Sequence, residues 1–179
     1  MKVLIDACVL YPTVLREIVL GLAGKGAFEP VWSERILEEW RRAAVRRGDG
    51  AIAEAEIAAA RALFPHAVVG AAPEVEDRLN LPDPDDVHVL ASAIVGECDE
   101  LLTLNLKDFP TRVVGREGVI VRDPDGFLLE QLHADAGRVT TVLNEVLEKA
   151  ARHGIDVSNP RKLMKRARLP RLGKAIYAP

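Results

Sequence analysis

Short, unbroken apolar runs alternate along this chain with segments whose apolar residues return every three or four positions. The first run, Val3-Leu4-Ile5, ends on Asp6; others are Phe28 to Trp32, Ala67 to Gly70, Leu101 to Leu104 and Val119 to Val121. A strand that is apolar without alternation is what a central parallel strand, covered on both faces, requires. Between the runs lie helical patterns. Val14, Leu15, Ile18, Val19 and Leu22 predict a helix from Thr13 to Leu22, ended by Gly24 and Gly26. Ser33 is a good N-cap for a helix that buries Ile36, Leu37, Trp40, Ala43 and Ala44. Gly48-Asp49-Gly50 then makes a turn, the Ala-rich run Ala51 to Leu63 forms a further helix, and Ala71 to Leu81 reads as a loop.

A central helix follows, with Asp83 able to cap, Pro84 at the first helical position, and Val87, Leu90, Ala91, Ile94 and Val95 at helical spacing. Asp123-Pro124-Asp125-Gly126 is turn chemistry. From Phe127 on no strand is evident; two helices separate near Ala136-Gly137, and Asn159-Pro160 opens a basic helical end that stops near Leu169-Pro170. Strands alternating with helices up to about residue 122 predict an α/β fold around a parallel sheet of about five strands, with a helical extension.

Composition changes this picture little and charge changes it more. At 179 residues, 49% hydrophobic but with four Phe, two Trp and two Tyr, the chain has ample Leu, Val, Ile and Ala for one core. Cys8 and Cys98 lie in apolar runs and suit a reducing compartment better than a disulfide. The apolar start is too short for a signal-peptide core and no run approaches a membrane span, so the expected setting is cytoplasmic, with no membrane partner. The net charge of −3 conceals an asymmetry, since residues 158–179 hold seven of the 24 Lys+Arg and no acid. The first 157 residues carry 17 Lys+Arg against 27 Asp+Glu, near −10. A basic end on an acidic body can contact nucleic acid, or dock on that body or on a partner.

The acids fall at ends of elements. Asp6 closes the first strand, Asp86 sits in the first turn of the central helix, Thr103 lies near the end of the fourth strand, and Asn105 and Asp108 follow it. At 100° per residue Glu39 lies nearer the apolar stripe of its helix than Glu38, so Glu39 leans toward a pocket while Glu38 faces water. In a parallel sheet these positions gather at one edge, where such folds bind ligands. Oxygen ligands without His or Cys suit Mg²⁺ or Mn²⁺, and crowded carboxylates repel unless a cation neutralises them. Such a site supports phosphodiester hydrolysis. Each residue also has a plain reading: Asp83 and Asp86 as helix-start acids, Glu39 as a solvated side chain, Asp108 as a turn cap, His88 as a core histidine, Lys107 and Arg112 as solvated charges.

The blocks Val3-Leu4-Ile5-Asp6-Ala7-Cys8-Val9-Leu10, Ser33-Glu34-Arg35-Ile36-Leu37-Glu38-Glu39-Trp40, Asp83-Pro84-Asp85-Asp86-Val87-His88-Val89-Leu90-Ala91 and Leu102-Thr103-Leu104-Asn105-Leu106-Lys107-Asp108-Phe109-Pro110, in that order, resemble the PIN domain. The likeness is nearest to VapC-like ribonuclease toxins of prokaryotic toxin–antitoxin pairs and spans roughly residues 1–130, leaving 131–179 as a helical, basic extension. It implies a PIN-like three-layer sandwich and a Mg²⁺ (or Mn²⁺) endoribonuclease that cuts single-stranded RNA. By the same resemblance Asp6 and Asp86 match the first and third family acids and anchor the metal, Glu39 matches the second, and Asn105 stands where many PIN domains have Asp. Asp108 is then the nearest carboxylate for the fourth place, with Thr103 and Asn105 positioning ligands. A cognate antitoxin and a homodimer are implied in the same way. The competing readings are a catalytically weak PIN module that binds RNA or serves assembly, and a phosphoacceptor receiver domain. The latter needs paired acids after the first strand, where this chain has Asp6-Ala7-Cys8.

Overall fold

The computed structural model describes residues 1–177. It divides into two compact units, one formed by Met1–Tyr11 and Phe28–Arg122, the other by Pro12–Ala27 and the chain from Asp123 on. The architecture is a five-stranded, all-parallel central sheet flanked by helices, with a helical C-terminal region, as the alternation of runs and periodic segments predicts.

In the first unit β1 (Lys2–Ile5) is followed by a single helical turn, α1 (Ala7–Leu10); α2 (Thr13–Gly24) belongs to the second unit. Then come β2 (Glu29–Ser33), α3 (Glu34–Val45), α4 (Gly50–Leu63) and β3 (Val68–Val69). The segment read as a loop holds a one-turn helix, α5 (Pro73–Glu76), begun by Pro73 at a position where its missing N–H costs nothing. The central helix starts as a 3₁₀ turn, Pro84–Asp86, and continues as α6 (Val87–Val95). After β4 (Glu100–Leu102) come a 3₁₀ turn at Leu106–Asp108, α7 (Thr111–Val114) and β5 (Ile120–Arg122).

Strand order is β3-β2-β1-β4-β5, so β1 is central. Val3, Leu4 and Ile5 have no exposed surface, nor have Leu101 and Leu102, which fits strands covered on both faces. Burying each such side chain is worth about 2 kcal/mol. Ser33 caps α3 as predicted, its hydroxyl accepting from the Ile36 amide at 3.3 Å. α6 packs against β1, β2 and β4, and its C-cap Gly96 makes the approach possible: a Cβ there would sit 2.9 Å from Val31 Cγ1.

In the second unit α2 packs along α9 (Ala136–Arg152), and α8 (Pro124–Ala134) lies against α9 and α11 (Pro170–Ile176). The Asp123-Pro124-Asp125-Gly126 sequence is a helix start rather than a free turn, because Asp123 accepts from the Gly126 amide at 2.9 Å and Pro124 opens α8. The basic end forms two helices, α10 (Pro160–Arg166) and α11, joined at Arg168 in the left-handed region (φ 66°). No helix among the described residues is long and apolar enough to cross a membrane, and Cys8 and Cys98 are free thiols.

Candidate metal centre

The centre is assembled by strand register. Leu4 pairs with Leu101 and Ile5 with Leu102, and the Asp6 amide donates to the Leu102 carbonyl at 3.1 Å, so the next step sets Asp6 beside Thr103. Both leave the sheet at its C-terminal edge. Thr103 has no exposed surface and its hydroxyl donates to Asp6 Oδ2 at 2.7 Å, while Thr103 Oγ1 accepts from the Asn105 amide at 3.0 Å. Cys8, two residues into the turn after β1, donates its thiol to Asp6 Oδ2 at 3.0 Å and accepts from the Leu104 amide at 3.2 Å. Burial and the neighbouring Asp6 charge push that thiol far above its ordinary range. Cys8 accordingly donates as a neutral thiol to Asp6.

Asp6 is 6% exposed and is the N-cap of α1, yet its side chain makes no cap hydrogen bond. A buried carboxylate needs donors. It takes them from the Thr103 hydroxyl across the sheet and from the Cys8 thiol on α1, and none from a backbone amide of that helix.

The second group of acids comes from the start of the central helix and the turn after β4. Asp83, Asp86 and Asp108 each offer a carboxylate oxygen within 4.8 Å of the others. Asp83 caps the 3₁₀ turn with Oδ1, accepting from the Asp85 amide at 3.0 Å, and so serves the cap and the cluster at once. Asn105 turns its side-chain amide toward Asp86, Nδ2 lying 3.4 Å from Oδ2. Among the described residues neither Asp83 nor Asp86 has an ion-pair partner, and the nearest cation to the group is the exposed Lys107, with Nζ 3.9 Å from Asp108 Oδ2. Arg112 is exposed on α7.

Electrostatics ties the two groups together. Asp86 has its pKa raised to about 6, first by burial and then by the charges of Asp6, Asp83, Asp108 and Glu39. Four carboxylates therefore act on Asp86 at this edge. Asp6 and Glu39 exert that influence without joining the coordination-distance triad. α3 directs Glu39 to this side, with Oε1 2.8 Å from His88 Nε2, whereas Glu38 is held by Arg41 and by Arg42 at 2.9 Å on the other side of the helix. The His88 contact is close but not aligned as a hydrogen bond. His88 is 3% exposed and both ring nitrogens are buried without a hydrogen-bond partner among the described residues.

Of the residues singled out in the sequence, Asp86 and Asp108 meet within coordination distance, Asn105 adjoins Asp86, Thr103 holds Asp6, and Glu39 stands at the border beside His88. Asp83 joins the centre as well. Its cap role accounts for its place in the sequence and hides its second oxygen. Cys8 as donor to Asp6 was equally silent, because an apolar run around a cysteine gives no sign of a polar partner. A donor set made of carboxylate oxygens, mutually repelling and short of protein cations, fits a hard divalent ion.

A family model described as a PIN domain matches residues 2–107, which include Asp6, Glu39 and two members of the triad, Asp83 and Asp86. Asp108 lies one residue beyond the match. No curated protein and no solved structure gives a significant match. With more than half of its length matched, from β1 through the turn after β4, the chain belongs to the PIN domain family.

Proposed function

We propose that this PIN domain is a Mg²⁺- or Mn²⁺-dependent endoribonuclease that cleaves single-stranded RNA and acts as the toxin of a type II toxin–antitoxin pair. PIN domains are generally metal-dependent nucleases. The observation that carries the reading is the meeting of Asp83, Asp86 and Asp108 oxygens within 4.8 Å of one another, where burial first and then the charges of Asp6, Asp83, Asp108 and Glu39 push Asp86 up to about 6. Asp6 and Asp86 would anchor the cation, Glu39 and Asp108 would hold it directly or through water, and Asp83 offers a further oxygen. When bound, the cation supplies a Lewis acid for a phosphate oxygen and a water of lowered pKa.

The chain's own residues do the positioning. Thr103 and Cys8 fix the Asp6 carboxylate through two donated hydrogen bonds to one oxygen, and Asn105 orients Asp86 from the turn after β4. An amide where the family often has a carboxylate spares the centre one more like charge while Asp108 supplies an acid from the next turn. Lys107 and Arg112, exposed nearby in sequence, can meet substrate phosphates. The toxin assignment rests on the likeness of the four sequence blocks to VapC-like proteins. It brings with it an antitoxin whose basic or aromatic side chains close the acidic edge, a homodimer and a cytoplasmic setting.

The test is cleavage of a single-stranded RNA oligonucleotide with Mg²⁺ or Mn²⁺, with EDTA, and with Asp86→Asn. EDTA stops cleavage, and the variant, having lost several kcal/mol of charge stabilisation, is slower by about a thousandfold. Cleavage that persists in EDTA, or in the variant, overturns the assignment. For the toxin label, the product of a short reading frame abutting this gene should bind the protein and silence it.

A further inference from the structure

Residues 158–177 place Arg161, Lys162, Lys165, Arg166, Arg168 and Lys174 on the surface of α10 and α11, all exposed. The opposite side of the same two helices is apolar and buried, through Leu163, Met164, Ala167, Leu169 and Leu172. The helices meet so closely that a Cβ on Gly173 would lie 2.8 Å from Met164 Cβ. Arg171 is the exception among the basic residues. Its side chain reaches Asp123 at 2.8 Å and Asp125 at 3.3 Å, and the amides of Arg171 and Leu172 both donate to Asp125 at 2.9 Å, which ties α11 to the start of α8.

None of the six exposed cations has a hydrogen-bonded or ion-paired partner for its side chain among the described residues. Asp156 feels Lys162 and Arg166 at a distance. On a chain that is near −10 over its first 157 residues, this is a cationic face whose side chains carry no direct ion pair among the described residues.

We propose that this α10–α11 face binds the phosphate backbone of single-stranded RNA, independently of base sequence. The inference takes its choice of RNA from the nuclease reading above. The make-up of the face favours a polyphosphate over other polyanions. Of the exposed large hydrophobic residues, Met1, Val45, Ile52, Leu63, Val95, Leu106 and Ile120, none lies on these helices. A membrane-surface helix needs an apolar face to insert, and here that face is already buried in the protein. A protein interface draws its energy from buried aromatic and apolar anchors, which this face lacks. Backbone phosphates require only cations, and binding gains its free energy from released counterions. Lys162, Lys165 and Arg166 lie three and four positions apart on α10, one above another on a single side.

The experiment measures binding of a fluorescent single-stranded RNA oligonucleotide by the full chain in EDTA, so that cleavage plays no part, across a range of salt concentrations. The triple variant Lys162→Ala/Lys165→Ala/Arg166→Ala should bind at least about tenfold more weakly at low salt. Its log K against log salt slope should be shallower by about 2, three phosphates at roughly 0.7 each. A charge-keeping variant, Lys162→Arg/Lys165→Arg/Arg166→Lys, should bind as the parent does, and the thermal unfolding of both variants should match the parent. Equal RNA affinity of the alanine variant and the parent overturns the proposal, as does binding of anionic phospholipid vesicles in preference to RNA. Loss of cleavage in EDTA-free assays has no bearing on this measurement: a protein that binds RNA through α10–α11 and does not cut it would sink the nuclease reading alone.

Discussion

Glu38 and Glu39 are neighbours on one helix with opposite surroundings. Glu38 belongs to a surface of matched charges: Arg41 reaches both Glu38 and Glu54, Arg42 reaches Glu38, and Arg61 clasps Glu34 with bonds of 2.5 and 2.7 Å. Arginine hydrogen bonds hold the Glu34 and Glu38 carboxyls below their ordinary range. Glu39 borders the opposite kind of region, where Asp6, Asp83, Asp86 and Asp108 crowd together and Asp86 is pushed up to about 6. The same residue type is clasped by two arginines on one side of α3, while on the other it has Arg35 only at 3.8 Å and adds to the negative charge acting on Asp86. Acids that a fold could have paired, and did not, mark where a cation from outside belongs.

The strongest way to break this comparison is to neutralise each neighbour in turn. Glu39→Gln should slow metal-dependent RNA cleavage by about a hundredfold, the cost of a disturbed ligand or its support, while Glu38→Gln stays within about twofold of the parent. Initial rates on one oligonucleotide decide it. Equal rates for the two variants would mean that the acid clasped by arginines and the acid beside the cluster differ in nothing that matters to the chemistry.

A smaller effect joins charge to stability. Asp86 in the folded chain titrates at about 6 and in the unfolded chain near its ordinary 3.8. Between these values the folded state holds more protons, so stability rises as pH falls through about 6 toward 4, and above it the cost of burying the charge, with the repulsion added, opposes folding in full. A divalent cation relieves the same repulsion and competes with the same proton. At ten times its dissociation constant Mn²⁺ should add about 1.4 kcal/mol at pH 7.5, seen as a higher unfolding temperature, and much less at pH 5. Asp86→Asn should raise the stability of the metal-free protein at pH 7.5 and abolish its pH dependence across this window. A cation effect of equal size at both pH values would detach the centre from Asp86.

How much of this was legible in the sequence depended on the kind of signal. The five strands could be read because β1 and β4 are apolar on both faces, and α3 because Ser33 and a clean apolar stripe announce it. The order β3-β2-β1-β4-β5 could not, since no run names its neighbour. Thr103 and Asp6 become partners only through that order, 97 residues apart. Asp83 was read as a cap, which it is, and the cap reading left no reason to ask where its other oxygen points. His88 reads as a core residue from its apolar neighbours and is buried as such; that it lies 2.8 Å from Glu39, a residue 49 positions earlier on another helix, is a tertiary contact that spacing does not reveal. The basic end reads as a charge excess, but its mounting on two helices turned at Arg168 comes from a left-handed residue that periodicity cannot show.

The smallest effect tests the matched side of the comparison. Arg61→Ala removes both bonds to Glu34, which is exposed at its side chain, so water takes over most of the lost interaction. The cost in stability should be about 0.5 kcal/mol or less, and it should shrink further in 1 M salt, where charges beyond about 3 Å are screened. Cleavage should be unchanged, because the pair lies among charges that already balance. Chemical denaturation at low and high salt reads the first expectation and the oligonucleotide assay the second. A loss of 2 kcal/mol or more would show that the α3–α4 charges are held as rigidly as a buried network. Matched pairs and crowded acids would then no longer differ in how strongly the fold depends on them, and the lack of partners around Asp86 would lose its meaning as a sign of function.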